Sequence, residues 1–172
     1  MTNEYLVLSN MYYNNTVSKD NMATIKIQDY LFEIAREEVT CEFMDLQYRY
    51  RCNLVIKDLV GTELKRLCFN ELQASQMLDS INTFVYNDYT DMYIISGINS
   101  PSNIYESYSI YLKTIDETKH LILFQVTCKI AYNNVPVISI IMSIDELDKL
   151  SDAMFFIYLI DIASERSGIF ST

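Results

Sequence analysis

The chain has 172 residues, of which 50% are hydrophobic and 21% are charged. This length and apolar content predict one globular domain, or one built from two small halves, and argue against a disordered chain. The net charge of −10 disfavours a broad electrostatic grip on duplex DNA or on an anionic membrane.

The four cysteines, Cys41, Cys52, Cys68 and Cys128, lack the spacing of a metal site. We expect reduced core thiols in a cytoplasmic protein, and a disulfide framework is the alternative. The start of the chain has no basic segment followed by a long apolar run, so no signal peptide is expected. No apolar run approaches the roughly 20 residues that span a bilayer.

Alternation of apolar and polar residues predicts strands in the first half, because successive side chains of a strand face opposite sides. After a short strand and a polar loop within residues 1–21, strands are expected at Met22–Ile27, Tyr30–Ile34, Leu46–Ile56 and Glu63–Phe69. Tyr30–Ile34 also fits a helical face, and Arg36 to Glu38 are interpreted as a charged connector. Asn70 and Gln73 have the spacing of a capping box, so a helix is expected to follow Asn70.

The second half shows the same order of elements. Strands are expected at Met92–Ile98, around Tyr108–Ile110, at Leu121–Tyr132 and at Val135–Met142, with a loop over Asn99–Asn103 and a two-residue hairpin turn at Asn133-Asn134. Ser143 and Glu146 form a second capping box before a helix that runs to about Ile162.

These patterns predict an α+β fold with antiparallel sheets and two packed helices, arranged as a tandem ββββα repeat. The first half spans residues 22–90 and the second spans residues 91–172, and together they form one compact domain. A single α+β domain without a repeat is the alternative.

The last helix is apolar almost all round between Ala153 and Ile162, so it must be covered on two sides. The cover is either the other half of the chain or a second chain in a homodimer. The candidate interface residues are Met154, Phe155, Phe156 and Tyr158 of this helix, with Tyr86 and Tyr89 from the region that joins the halves.

Most catalytic chemistries lack their residues in this sequence. The three glycines form no phosphate-binding loop, and a single histidine, His120, rules out multi-histidine metal sites. The acidic run Asp145, Glu146, Asp148 and Asp152 suits a helix start, although a divalent cation is an alternative. No enzyme, cofactor or metal site is therefore predicted.

One cluster departs from the acidic background. Five of the thirteen basic residues lie close together: Arg49, Arg51, Lys57, Lys65 and Arg66. Arg49 and Arg51 share the polar face of one predicted strand. The cluster is either a solvated sheet face with cross-strand ion pairs or a site for an anionic ligand or single-stranded nucleic acid.

Two repeats of four strands and a helix resemble, in layout, the PUR-type and Whirly-type single-strand nucleic-acid binders. The main functional prediction is a non-enzymatic, acidic protein-binding module. It would be an inhibitor, immunity or anti-defence protein of a phage or other mobile element, and its partner would be a basic nucleic-acid-binding protein, such as a nuclease whose groove it blocks. The alternative is a single-stranded nucleic-acid-binding protein that uses the Arg49/Arg51 sheet face.

Overall fold

A computed structural model describes residues 22–38, 50–87, 90–100, 103–118 and 120–159. The elements of the first half are β1 (Met22–Ile27), β2 (Tyr30–Glu38), β3 (Tyr50–Asp58), β4 (Glu63–Asn70) and α1 (Glu71–Tyr86). Those of the second half are β5 (Asp91–Ser100), β6 (Asn103–Asp116), β7 (Leu121–Ile130), β8 (Asn133–Ser143) and α2 (Ile144–Tyr158).

The strands form two antiparallel four-stranded sheets in sequential order, β1-β2-β3-β4 and β5-β6-β7-β8. Each sheet is followed by one helix. The predicted α+β fold with a tandem ββββα arrangement is therefore confirmed. The short strand predicted within residues 1–21, the start of the strand predicted from Leu46 and the end of the last helix lie outside the described residues.

Side-chain alternation places one face of each sheet in the core. In β3, Cys52, Leu54 and Ile56 are fully buried, and β7 buries Ile122 and Phe124 in the same way. These strands carry apolar residues at every second position, so one face of each strand becomes dry when the sheet packs. The prediction from alternation is confirmed for the inward faces.

The interpretation of Arg36 to Glu38 as a connector is wrong, because these residues continue β2. Arg36 is 6% exposed, and its guanidinium lies 4.4 Å from the centre of the Tyr50 ring. Glu37 lies directly opposite Arg51 on β3. The charged residues thus have partners on the neighbouring strand. This pairing carries β2 beyond Ile34, where the strand predicted from alternation ends.

The hairpin between β7 and β8 turns two residues earlier than predicted. Ala131 and Tyr132 have φ angles of 49° and 73°, and Ile130 pairs with Asn133. Two consecutive positive φ angles are those of a type I′ hairpin turn. The Asn133-Asn134 pair, predicted to form the turn, instead begins β8. The loop expected at Asn99–Asn103 is also shorter, because β5 extends to Ser100.

Both predicted capping boxes are present. The Asn70 side chain accepts a hydrogen bond from the Gln73 backbone at 2.8 Å, and the Gln73 side chain accepts one from the Asn70 backbone at 2.9 Å. Ser143 and Glu146 repeat this exchange at 3.1 and 3.0 Å. Each box satisfies two backbone N–H groups at the helix start and fixes where its helix begins.

The two halves share one core, and each helix packs across to the other half. Helix α1 lies against β5, and α2 lies against β1 and β2. Phe32 and Phe124 meet edge to face across the halves with ring centroids 5.6 Å apart, and Phe69 and Tyr158 do so at 5.4 Å. The apolar helix is therefore covered within the chain itself, which was one of its two predicted environments.

Neither described helix is long and apolar enough to cross a membrane.

Candidate nucleic-acid interface

The outer face of the first sheet carries three of the predicted basic residues, each beside a carboxylate. Arg51 Nε lies 2.6 Å from Glu37 Oε1, and Lys57 Nζ lies 2.8 Å from Glu33 Oε2. Arg66 makes a 2.8 Å ion pair with Glu63. These are the cross-strand and local pairs that the solvated-face alternative anticipated.

The pairing holds these charges in place. The hydrogen bond from Arg51, with a second from Asn53, keeps the pKa of Glu37 below its usual value of 4.5. The same contact with Glu37 raises the pKa of the Arg51 guanidinium. Both groups are thus fully charged at neutral pH, and the pair presents little net charge to a phosphate.

The cluster does not stay together as one patch. Lys65 lies opposite Ile56 on the inward-facing side of the first sheet, and its ammonium lies 3.7 Å from the centre of the Tyr108 ring. This cation–π contact joins β4 to β6 of the second half. Arg49 lies outside the described residues.

The second sheet presents a different outer face. Tyr93 pairs with Tyr111, Tyr111 pairs with Gln125, and Gln125 pairs with Ser139. Because paired residues in antiparallel strands point to the same side, these four residues form one row across all four strands. We call Tyr93, Tyr111, Gln125 and Ser139 the aromatic row.

Contacts within the aromatic row fix its side chains. The Tyr93 and Tyr111 ring centroids lie 5.0 Å apart with an interplanar angle of 46°. The Tyr111 hydroxyl donates to Asp91 at 2.8 Å, and the Gln125 amide donates to Ser139 at 3.0 Å. Burial and the bond to Asp91 raise the pKa of Tyr111 to about 12, so its hydroxyl stays protonated at neutral pH. The Gln125 carbonyl oxygen remains available as an acceptor.

Side chains from the two edge strands meet over the outer face of the second sheet. Asn134 of β8 donates to the Tyr93 hydroxyl of β5 at 3.1 Å, although β8 and β5 are the two edges of the sheet. Neighbouring strands lie about 4.8 Å apart, so these two side chains extend over the central strands to reach each other. On β7, Thr127 is 3% exposed, and its hydroxyl has no partner within the described structure.

Two lysines bracket the aromatic row. Lys113 follows Tyr111 by two residues on β6, and Lys129 follows Gln125 by four residues on β7. Both are exposed, and neither has an ion pair within the described residues. Asp91, opposite Lys113, accepts the bond from Tyr111. This face therefore offers aromatic rings, amide groups and two accessible cations.

The other candidates from the sequence occupy separate places. Met154, Phe156 and Tyr158 are buried inside the chain, and Phe155 is partly buried. Tyr86 is 79% exposed at the end of α1, and Tyr89 lies outside the described residues. In the acidic run, Glu146 serves the capping box and accepts from Gln28 at 2.9 Å. No cluster of three potential metal ligands occurs among the described residues.

Sequence reasoning missed Tyr93 and Tyr111. A signal was present, because Ser109, Tyr111 and Lys113 alternate with the apolar residues of β6. That alternation assigns Tyr111 to the exposed face, but it does not reveal which residue lies opposite on β5. Three register irregularities between β5 and β6 decide that pairing, and they depend on the folded sheet.

Comparison with solved structures finds chains of similar layout. One, described as MRP1/MRP2 of Trypanosoma brucei, has a TM-score of 0.45 and 6% identity, over 98% of this chain and 97% of that chain. Another is WHY1 from Arabidopsis thaliana, with a TM-score of 0.44 and 12% identity, over 87% of this chain and 96% of that chain. No protein-family profile matches the sequence, and no curated protein does.

The main functional prediction from the sequence, an acidic protein-binding module that inhibits a nuclease, is wrong. The alternative prediction, a single-stranded nucleic-acid-binding protein that uses the Arg49/Arg51 sheet face, remains as a hypothesis. The placement of the site on the Arg49/Arg51 face stays a prediction.

Proposed function

We propose that the protein is a non-catalytic, single-stranded nucleic-acid-binding protein that binds the strand on the outer face of the second sheet. The observation that carries this proposal is the aromatic row, with two tyrosines and one glutamine aligned across the sheet. Unpaired bases stack on aromatic side chains, and their edges bond to amide groups. In a duplex, stacking and base pairing keep the faces and edges of the bases away from such a surface.

The charge distribution supports a binding mode in which stacking contributes more than phosphate contacts. The chain carries −10 overall, while Lys113 and Lys129 flank the aromatic row. If each lysine neutralises one phosphate, the slope of log K against log salt concentration is about −1.4, at roughly 0.7 per contact on single strands. A protein that binds mainly through phosphates would give a much steeper slope.

Free thiols at Cys52, Cys68 and Cys128 suit a reducing compartment, so we place this function in the cytoplasm.

The test is fluorescence anisotropy with labelled single-stranded DNA and RNA over a range of salt concentrations. Tyr93→Ala removes an exposed ring from the aromatic row and should weaken binding about 5- to 150-fold, the equivalent of roughly 1–3 kcal/mol of stacking per base. The matched control is Tyr86→Ala, because Tyr86 is also exposed but lies at the end of α1. It should bind as the unchanged protein does.

Arg51→Ala discriminates between the two sheets. Because Arg51 is engaged by Glu37, its loss should change the affinity less than threefold, in line with a weak exposed ion pair. Binding that is lost in Arg51→Ala and kept in Tyr93→Ala would move the site to the first sheet. Absence of binding at low salt to either nucleic acid would refute the proposed function.

A further inference from the structure

Strand β8 is an edge strand of unusual composition. It pairs with β7 on one side, and no strand in the described part of the chain pairs with its other side. The sequence has no charged residue between Lys129 and Asp145, a stretch that contains all of β8. An open row of backbone donors and acceptors can pair with a strand of another chain. Exposed edges therefore usually carry charges, which oppose such pairing.

The other three edges of the two sheets are protected. Strand β1 contains Lys26, and β4 contains Glu63, Lys65 and Arg66. Strand β5 begins with Asp91, and its ladder has three register irregularities. Only β8, among the described edges, combines an open side with a neutral sequence.

Apolar side chains are exposed along this edge, in the turn before it and at the end of β7. The exposed fractions are 56% for Ile130, 96% for Tyr132, 41% for Val135, 43% for Val137 and 53% for Ile141. These are five of the twelve exposed large hydrophobic side chains in the described part of the chain. Such a concentration marks an interaction surface.

We propose that β8 pairs with β8 of a second copy of this chain, antiparallel and about a two-fold axis, to form one eight-stranded sheet. A two-fold interface requires a surface that complements itself, and an uncharged strand meets this condition. Two chains of net charge −10 repel each other, and the repulsion is least where the touching surfaces carry no charge. A charged partner strand would find no matching charge on β8.

The structure also limits the register. Pro136 has no backbone N–H, and the ladder with β7 is irregular next to it, between Val126 and Thr127. The regular part of the edge is therefore Ile138–Met142. Centred on Ile140, the pairing sets Ser139 opposite Ile141 of the second copy, and both side chains point to the outer face.

This dimer would extend the binding face, a consequence that rests on the proposed function. A two-fold axis perpendicular to the sheet keeps both outer faces on the same side. Ser139, the last member of the aromatic row, then lies next to the second copy. Two aromatic rows would thus line one continuous face, and a single strand of nucleic acid could contact both.

The first experiment measures molar mass by light scattering on a sizing column, without nucleic acid, from low to high micromolar protein. We expect a shift from 20.1 kDa towards twice that mass as the concentration rises. Ile141→Lys introduces a charge into the edge and should hold the protein at the monomer mass. Leu72→Lys is the matched control, because Leu72 is 51% exposed on α1 and should leave the dimer intact.

A second measurement, backbone hydrogen exchange, does not depend on a variant. The outward amides of Ile138–Met142 should exchange more slowly as the protein concentration rises. A monomer at every concentration, or a dimer that persists in Ile141→Lys, would overturn the inference. So would a dimer without added protection in β8, which would mean that another surface or a different partner strand is used. Failure to bind nucleic acid would refute the proposed function and leave the dimer standing.

Discussion

At the scale of single residues, Tyr158 shows how a side chain suited to an interface can serve the interior. It is fully buried, and its hydroxyl donates to the Asn53 backbone carbonyl at 2.6 Å. The bond joins α2 to β3 across 105 residues of sequence. Burial raises the pKa of Tyr158 well above its ordinary value, so the hydroxyl remains a donor.

Tyr158→Phe should lower the free energy of unfolding by about 1–2 kcal/mol. The substitution keeps the ring but leaves the buried carbonyl of Asn53 without this donor, and an unmet buried polar group costs about that much. Urea unfolding gives the value. Tyr86→Phe, at an exposed position, should stay within about 0.5 kcal/mol of the unchanged protein. Equal effects of both substitutions would contradict the role assigned to this bond.

The polar face of β3 shows where residue-level prediction ends. Asn53 and Val55 occupy positions that alternate with the core residues, yet they are 5% and 0% exposed. Val55 lies directly between Glu33 and Arg66 on the neighbouring strands, so a long side chain flanks it on each side. Alternation assigns a residue to a face, but the neighbouring strands decide how much of that face is covered.

At the scale of elements, helix starts were predictable because their signals are local. Both capping boxes lie within four consecutive residues, and the structure contains both. The β7–β8 turn was misplaced because intrinsic preference favours Asn at positive φ, while the pairing of Ile130 with Asn133 forces Ala131 and Tyr132 into that conformation. A ladder of pairs outweighs the preference of two residues.

The second capping box should make stability depend on acid pH. Burial alone would raise the pKa of Glu146, but hydrogen bonds from Ser143 and Gln28 outweigh it and bring the pKa below 4.5. A folded-state pKa below the unfolded value stabilises the fold above the unfolded value, and this contribution is lost as pH falls through the folded pKa. Stability should therefore decline as pH drops below about 4.5 partly through this group.

Glu146→Gln removes the titrating group and should flatten that decline. The measurement is urea unfolding at several pH values from neutral to acid, with both proteins compared at each pH. Asp79→Asn, on an exposed position of α1, is the control and should retain the full pH dependence. Parallel curves for Glu146→Gln and the unchanged protein would show that the capping carboxylate does not contribute.

At the scale of the whole molecule, the repeated order of elements does not produce two independent units. Each helix packs on the sheet of the other half, and Phe32 meets Phe124 between them. Order of elements and apolar faces could be predicted from the sequence, since both follow from local patterns. The packing of each helix on the other half and the aromatic row could not be predicted, because they depend on contacts between residues far apart in the chain.

A shared core implies that the halves unfold together. Phe124→Leu makes a small cavity beside Phe32 and should cost about 1–2 kcal/mol. Hydrogen exchange should then quicken by the same factor in the protected amides of β3 and β7, although the substitution lies in the second half. Leu123→Ala, the neighbour that points outward from the same strand, should have a smaller effect on both sheets. If β3 kept its protection while β7 lost it, the halves would be separate folding units, and the contacts across them would contribute little to stability.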